Sequence, residues 1–224
     1  TLLSQEIINE IYIEKNKIIC ICRKIYGEEL RKLAQAMYDG GIRLMEVTFD
    51  QANPNCCQET AMAIRMLNET FGDGMQFGAG TVLNREQVDA AREAGANYII
   101  SPNTDEEVIH YTKELGMASI PGAMTPSEIL TAHKAGADFV KLFPTVYLGL
   151  PYLKDIKGPI NHVKLLGTGG LTEDNLADYL NMGMAGAGIS GRLVDPELRK
   201  KGDYAALSQR ARTFMTIANA KRGN

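Results

Sequence analysis

A chain of 224 residues, 45% hydrophobic and 23% charged, has apolar material for one sizeable core, and α/β barrels of this length are routinely undivided. Its net charge of −3 leaves no basic footprint for nucleic acid, and no run approaches the ~20 apolar residues a membrane span requires. The first residues, Thr1 to Glu6, carry neither a charged start nor a long apolar stretch, so no secretion signal is expected and the cytoplasm is favoured.

Short apolar runs alternate with longer amphipathic stretches almost to the end. Strands are expected at Lys17–Cys22, Leu44–Phe49, Gln76–Ala79, Tyr98–Ile100, Ala118–Ile120, Phe139–Phe143, Val163–Leu166 and Ala185–Ile189. Helical spacing falls between them at Gly27–Tyr38, Cys57–Glu69, Arg85–Ala94, Asp105–Leu115, Pro126–Lys134 and Glu173–Met182. Leu150–Ile156 could form a short helix, and Tyr204–Ala220 closes the chain. Glycine-containing turns recur after the helices, at Gly40-Gly41, Gly95, Gly136 and Gly183, where an αL cap is expected. Repeated strand–helix units give a parallel sheet, and eight of them close a barrel. An open doubly wound sheet is the alternative, but no Gly-x-Gly-x-x-Gly turn follows the first strand. The expected architecture is a (β/α)8 barrel, a single domain over 1–224 with a short N-terminal helix.

Cys20/Cys22 and Cys56/Cys57 lack zinc-site spacing, and they read as reduced packing thiols. His110, His133 and His162 do not cluster in the sequence, and each falls away from a strand's C-terminal end. No metal or cofactor is expected.

Barrel active sites lie at the C-terminal strand ends. There, Phe139-Val140-Lys141-Leu142-Phe143 places a lysine within an apolar strand. Burial disfavours the ammonium form, by up to ~3–5 pKa units, and a free amine forms Schiff bases. Alternation puts 139, 141 and 143 on one face, and Val140 and Leu142 suit the helix side, so Lys141 is expected in the lumen. The alternative is a lysine snorkelling to the rim. Glu46, in Leu44-Met45-Glu46-Val47-Thr48, is a second charge in an apolar strand. It reads as a proton carrier beside Lys141, or else as half of a structural ion pair with Lys141 or Arg43. Arg23, ending strand one, could hold a carboxylate or phosphate through its planar fork, or be an ordinary surface arginine. Gly167-Thr168-Gly169-Gly170 and Gly188-Ile189-Ser190-Gly191 end two consecutive strands. Loops at those positions frequently bind phosphate in this fold, although tight turns alone would also use glycine.

The ordered segments Glu46-Val47-Thr48, Gly78-Ala79-Gly80-Thr81-Val82, Ser101-Pro102, Pro121-Gly122, Val140-Lys141-Leu142-Phe143-Pro144 and Thr168-Gly169-Gly170 resemble a known family. It is that of the 2-keto-3-deoxy-6-phosphogluconate / 4-hydroxy-2-oxoglutarate aldolases, class I enzymes built as trimeric barrels. The resemblance spans roughly residues 7 to 220. It implies that Lys141 is the Schiff-base lysine and Glu46 the general acid/base. It also implies that Thr81 and Pro102 line the pyruvate pocket, that Thr168 contacts substrate near its carboxylate end, and that Arg23 holds substrate. Gly169, Gly170, Ser190 and Gly191 match the phosphate loops. Three departures stand out. Asp50 replaces an arginine that many members carry four residues after the glutamate, and Gly191 replaces a serine, with Ser190 one residue early. Thr168 resembles gluconate-type enzymes, where galactonate-type relatives are more often apolar.

The resemblance implies cleavage of a 2-keto-3-deoxy acid to pyruvate and an aldehyde by a cytoplasmic homotrimer that uses no cofactor. Two other classes remain open: a phosphosugar epimerase or isomerase, and a non-catalytic barrel binding a keto acid. Neither would need Lys141 as a nucleophile.

Overall fold

The structure, a computed structural model, describes residues 3–222; the outermost residues of the expected 1–224 domain and of the Thr1–Glu6 segment lie outside the described residues. Nine parallel strands run β1 (Ile18–Cys22), β2 (Leu44–Thr48), β3 (Gln76–Gly80), β4 (Tyr98–Ile100), β5 (Ala118–Ile120), β6 (Gly122–Ala123), β7 (Val140–Leu142), β8 (Leu165–Thr168) and β9 (Gly186–Ile189). The helices are α1 (Gln5–Asn16), α2 (Gly27–Asp39), α3 (Cys56–Phe71), α4 (Arg85–Glu93), α5 (Glu106–Glu114), α6 (Pro126–Lys134), α7 (Thr145–Lys157), α8 (Leu176–Asn181), α9 (Pro196–Lys200) and α10 (Tyr204–Asn219).

The sheet order is β5-β4-β3-β2-β1-β9-β8-β7-β6. Its two end strands are consecutive in sequence and separated only by Pro121, which has no N–H for a ladder. The fifth expected strand, Ala118–Ile120, is β5, and β6 is a short ninth strand that the sequence reading did not include. Asp138 N donates to Ser119 O at 3.0 Å and Lys141 N to Pro121 O at 2.8 Å, which joins the sheet's ends into a barrel. The expected strand Val163–Leu166 instead begins at Leu165 and runs on to Thr168, and the helix expected at Glu173–Met182 shortens to α8. The short helix expected at 150–156 is the second half of α7, which is interrupted at Gly149 (φ 86°).

Two apolar layers result. Val140, Leu142, Cys20, Cys22 and Val47 pack outward against the helices. Ile19, Leu44, Tyr98, Ile100, Phe139 and Leu166 fill the lumen, together with Ile13 of α1. Helix α1 therefore plugs the N-terminal end of the barrel. Asn9 Nδ2 donates to Asn97 O at 2.8 Å, and Lys164 pairs with Glu10 and Glu14 at 3.0 and 2.8 Å. With one end plugged, a ligand can enter the lumen only from the C-terminal rim. All four cysteines are free thiols, with Cys57 the least buried.

The His133 and His162 rings meet edge-to-face at 5.1 Å, because the end of α6 and the turn before β8 converge at the N-terminal side of the barrel. The pair sits at the opposite end from Lys141.

Candidate active site

Phe139 belongs to the lumen cluster, so strand alternation carries Lys141 to the lumen as well. Glu46 follows Leu44 in the same way on β2. Both are buried, Glu46 to 2% exposure and Lys141 to 9%. Among the described residues, no ion pair within 4.0 Å involves either one. Arg43 is turned elsewhere: it donates to the carbonyls of Tyr38 and Ile42 and stacks over the Tyr38 ring. Glu46 Oε2 is buried without a hydrogen-bond partner, which is costly unless something else satisfies it.

The electrostatics push each group towards neutrality. Burial lowers the Lys141 pKa below the ordinary lysine value; the Glu46 charge opposes this and the Arg23 charge adds to it. Burial likewise raises the Glu46 carboxyl, against the charges of Lys141 and Arg23. An amine held towards its free form beside a carboxyl held towards its acid form can add to a carbonyl and exchange protons with the adduct. The Lys141 Nζ also lies 4.9 Å from the centroid of the Phe143 ring at the rim.

Small residues make room for these groups. A Cβ on Gly78 would lie 2.1 Å from the Tyr98 ring, and one on Gly80 would lie 2.6 Å from Glu46 Oε2. Tyr98 fills the lumen below, its hydroxyl donating to Met45 O at 2.7 Å. Thr81 turns the chain at a φ of 54° and accepts from Arg23 Nη1 at 3.4 Å. Thr168 ends β8, where its N–H donates to Thr145 Oγ1 at 2.7 Å.

A cavity of about 390 Å³ opens over Lys141 and Glu46. Every residue expected at the site lines it: Arg23, Thr81 and Pro102 on one side, Thr168, Gly169, Gly170, Ser190 and Gly191 on the other. Asp50 does not line it and faces Lys24 at 3.7 Å. Gly169 and Gly170 take φ values of 103° and 77°. Among the described residues, the N–H groups of Gly169, Gly170, Gly191 and Arg192 donate to no protein acceptor. A concave set of free N–H groups is a ready receptor for an anion.

Arg192 and Thr172 also line the cavity, and the sequence reading missed both. Arg192 directly follows the Ser190-Gly191 turn, and a cation at that point was the available signal. Its Nε and Nη2 donate to the two carboxylate oxygens of Glu173 at 2.9 and 3.0 Å.

The comparisons with known proteins agree with this geometry. The family model "KDPG and KHG aldolase" matches residues 8–210. The chain belongs to the KDPG and KHG aldolase family. It is therefore an aldolase, a carbon–carbon lyase. Among its relatives, the 2-dehydro-3-deoxy-6-phosphogalactonate aldolase of Escherichia coli is 34% identical over 180 residues, covering 80% of this chain and 85% of the relative. The 2-dehydro-3-deoxy-phosphogluconate aldolase of Treponema pallidum is 32% identical over 201 residues, covering 88% and 92%. The structure of KDPG aldolase from Legionella pneumophila, with pyruvate captured at low pH as a covalent carbinolamine, superposes with a TM-score of 0.81 at 28% identity, covering 92% of this chain and 97% of that one.

Proposed function

We propose that the protein cleaves a 2-keto-3-deoxy-6-phospho sugar acid to pyruvate and glyceraldehyde 3-phosphate through a Schiff base on Lys141. The observation that carries this reading is the burial of Lys141 beside an unpaired Glu46 at the base of the cavity. Neutral Lys141 adds to the C2 ketone, and the acid form of Glu46 protonates the carbinolamine hydroxyl, which leaves as water to give a protonated imine and a Glu46 carboxylate. Glu46, through a bound water, takes the C4 hydroxyl proton while the C3–C4 bond breaks. The bond's electron pair passes into the imine, giving an enamine and the free aldehyde. Protonation at C3 and hydrolysis release pyruvate and restore the amine. Here the iminium is the electron sink that splits one difficult step into two easier ones.

The remaining residues divide along the cavity. Arg23, with Thr81 and Pro102, is suited to the pyruvyl end, and Arg23 there replaces the arginine absent at Asp50. Thr168 contacts the substrate near its carboxylate end. Gly169, Gly170, Ser190 and Gly191 offer their backbone to the phosphate. The gluconate-type substrate is the first choice because of Thr168. The 34%-identical galactonate-type relative supports the C4 epimer as a second reading, and 4-hydroxy-2-oxoglutarate, which would give glyoxylate, is a third. We extend the proposal to a homotrimer: Met124, Phe143 and Tyr147 are exposed apolar residues on the rim after β6 and β7, Tyr147 to 89%. Light scattering on the purified protein tests the oligomer, and cell fractionation tests the cytoplasmic location.

The test of function is borohydride reduction in the presence of pyruvate, followed by peptide mass mapping. A pyruvyl adduct on Lys141, absent from Lys141→Ala together with turnover, is the expected result. Near-normal turnover by Lys141→Ala would sink the mechanism.

A further inference from the structure

Gly191 stands in the last loop over the cavity, where a Cβ would meet nothing within 4 Å, and the next residue is a cation. Arg192 lines the same cavity, with Gly169, Gly170 and Ser190 around it.

Arg192 is held in place at both its ends. The Glu173 carboxylate grips its Nε–Nη2 edge from the loop after β8. Arg210 of α10 donates to the Arg192 carbonyl at 3.1 Å and to Asp195 Oδ2 at 2.7 Å. Asp195 in turn caps α9 through the N–H groups of Glu197 and Leu198. Among the described residues, Arg192 Nη1 has no protein acceptor. One edge of the planar fork is thus fixed, and another is free to donate. A guanidinium recognises phosphate through such paired N–H groups, and the side chain is 45% exposed, so the head is open to a ligand.

We propose that Arg192 is the specificity-determining residue of the phosphate end, setting the preference for a phosphorylated over an unphosphorylated 2-keto-3-deoxy acid. The proposal rests on the aldolase reading above. The free edge of the Arg192 guanidinium, its charge partly offset by Glu173, adds charge-assisted donors to the neutral N–H groups of the loops.

The experiment measures kcat/KM for 2-keto-3-deoxy-6-phosphogluconate and for its dephosphorylated counterpart in the wild type, Arg192→Ala and Arg192→Lys. It also measures inhibition of each by inorganic phosphate. In Arg192→Ala the ratio of the two kcat/KM values falls about 10- to 100-fold, as expected for loss of a charge-assisted hydrogen bond, mainly through KM for the phosphorylated acid. Inhibition by phosphate weakens in parallel, and Arg192→Lys recovers part of both. A ratio unchanged in both variants, or equal losses on the two substrates, overturns the proposal. A wild type that cleaves neither acid and traps no pyruvate would instead remove the proposed Schiff-base cleavage on which this inference rests.

Discussion

Gly80→Ala tests the placement of Glu46 without removing any reacting group. Gly80 is not in a positive-φ conformation, so alanine adds no backbone strain, and its methyl would stand 2.6 Å from Glu46 Oε2, 2.9 Å from Cδ and 3.0 Å from Thr48 Cγ2. Ordinary contact begins near 3.4 Å, so the carboxylate must retreat by about 0.8 Å, whereas β2 and β3 are fixed by a five-residue ladder. Glu46 Oε2 has no protein hydrogen bond to resist that movement, so the side chain gives way before the sheet does. A misplacement of about 1 Å at a reacting group costs roughly 10²-fold, and a drop in kcat of about that size is expected. Pyruvate release, coupled to NADH oxidation by lactate dehydrogenase, reads the loss, and a thermal melt checks that the barrel stays folded. Borohydride trapping of pyruvate on Lys141 should suffer less than cleavage, because the methyl does not touch the amine. A folded Gly80→Ala with wild-type kcat would refute the reasoning, since proton transfer would then not depend on where Glu46 stands.

Glu46→Gln keeps the shape but cannot carry the proton, so kcat falls about 10²–10⁴-fold; steady-state assays on the same substrate read it, and a loss under tenfold would argue for another proton carrier. Arg23→Gln shifts the pH dependence: Arg23 lowers the Lys141 pKa, so its removal raises that pKa and moves the acid limb of pyruvate trapping to higher pH. Trapping rates across pH in the two proteins check the sign, and a move to lower pH contradicts the assigned cause. Tyr98→Phe removes the 2.7 Å bond to Met45 O from a fully buried site. The expected cost is roughly 1–3 kcal/mol, or a Tm about 2–4 °C lower per kcal/mol for a protein of this size, and an unchanged melt would count against it.

Periodicity, turn chemistry and composition are local properties, and they made most of the barrel legible. The alternation of apolar runs with amphipathic stretches marked the strands, and recurrent glycines marked the ends of helices. Lys141 and Glu46 stood out because a charge within an apolar strand has no solvated face. What happens between strands is not local. Alternation says that Phe139 and Lys141 share a face; only the packing of Phe139 with Ile19, Leu44 and Leu166 makes that face the lumen. That Glu46 stays unpaired depends on where Arg43 turns, and Gly78 is small because Tyr98, from the next strand, occupies its side-chain space. Arg192 in sequence is one arginine after a glycine turn, and its meaning comes from Glu173, brought to it by the loop of the neighbouring strand. Local pattern was enough for the strand–helix repeat and the two conspicuous charges. Which groups meet is a matter of packing, because the shared cavity of Glu46 on β2 and Lys141 on β7, and the pairing of the loops after β8 and β9, join parts of the chain that no short-range pattern links.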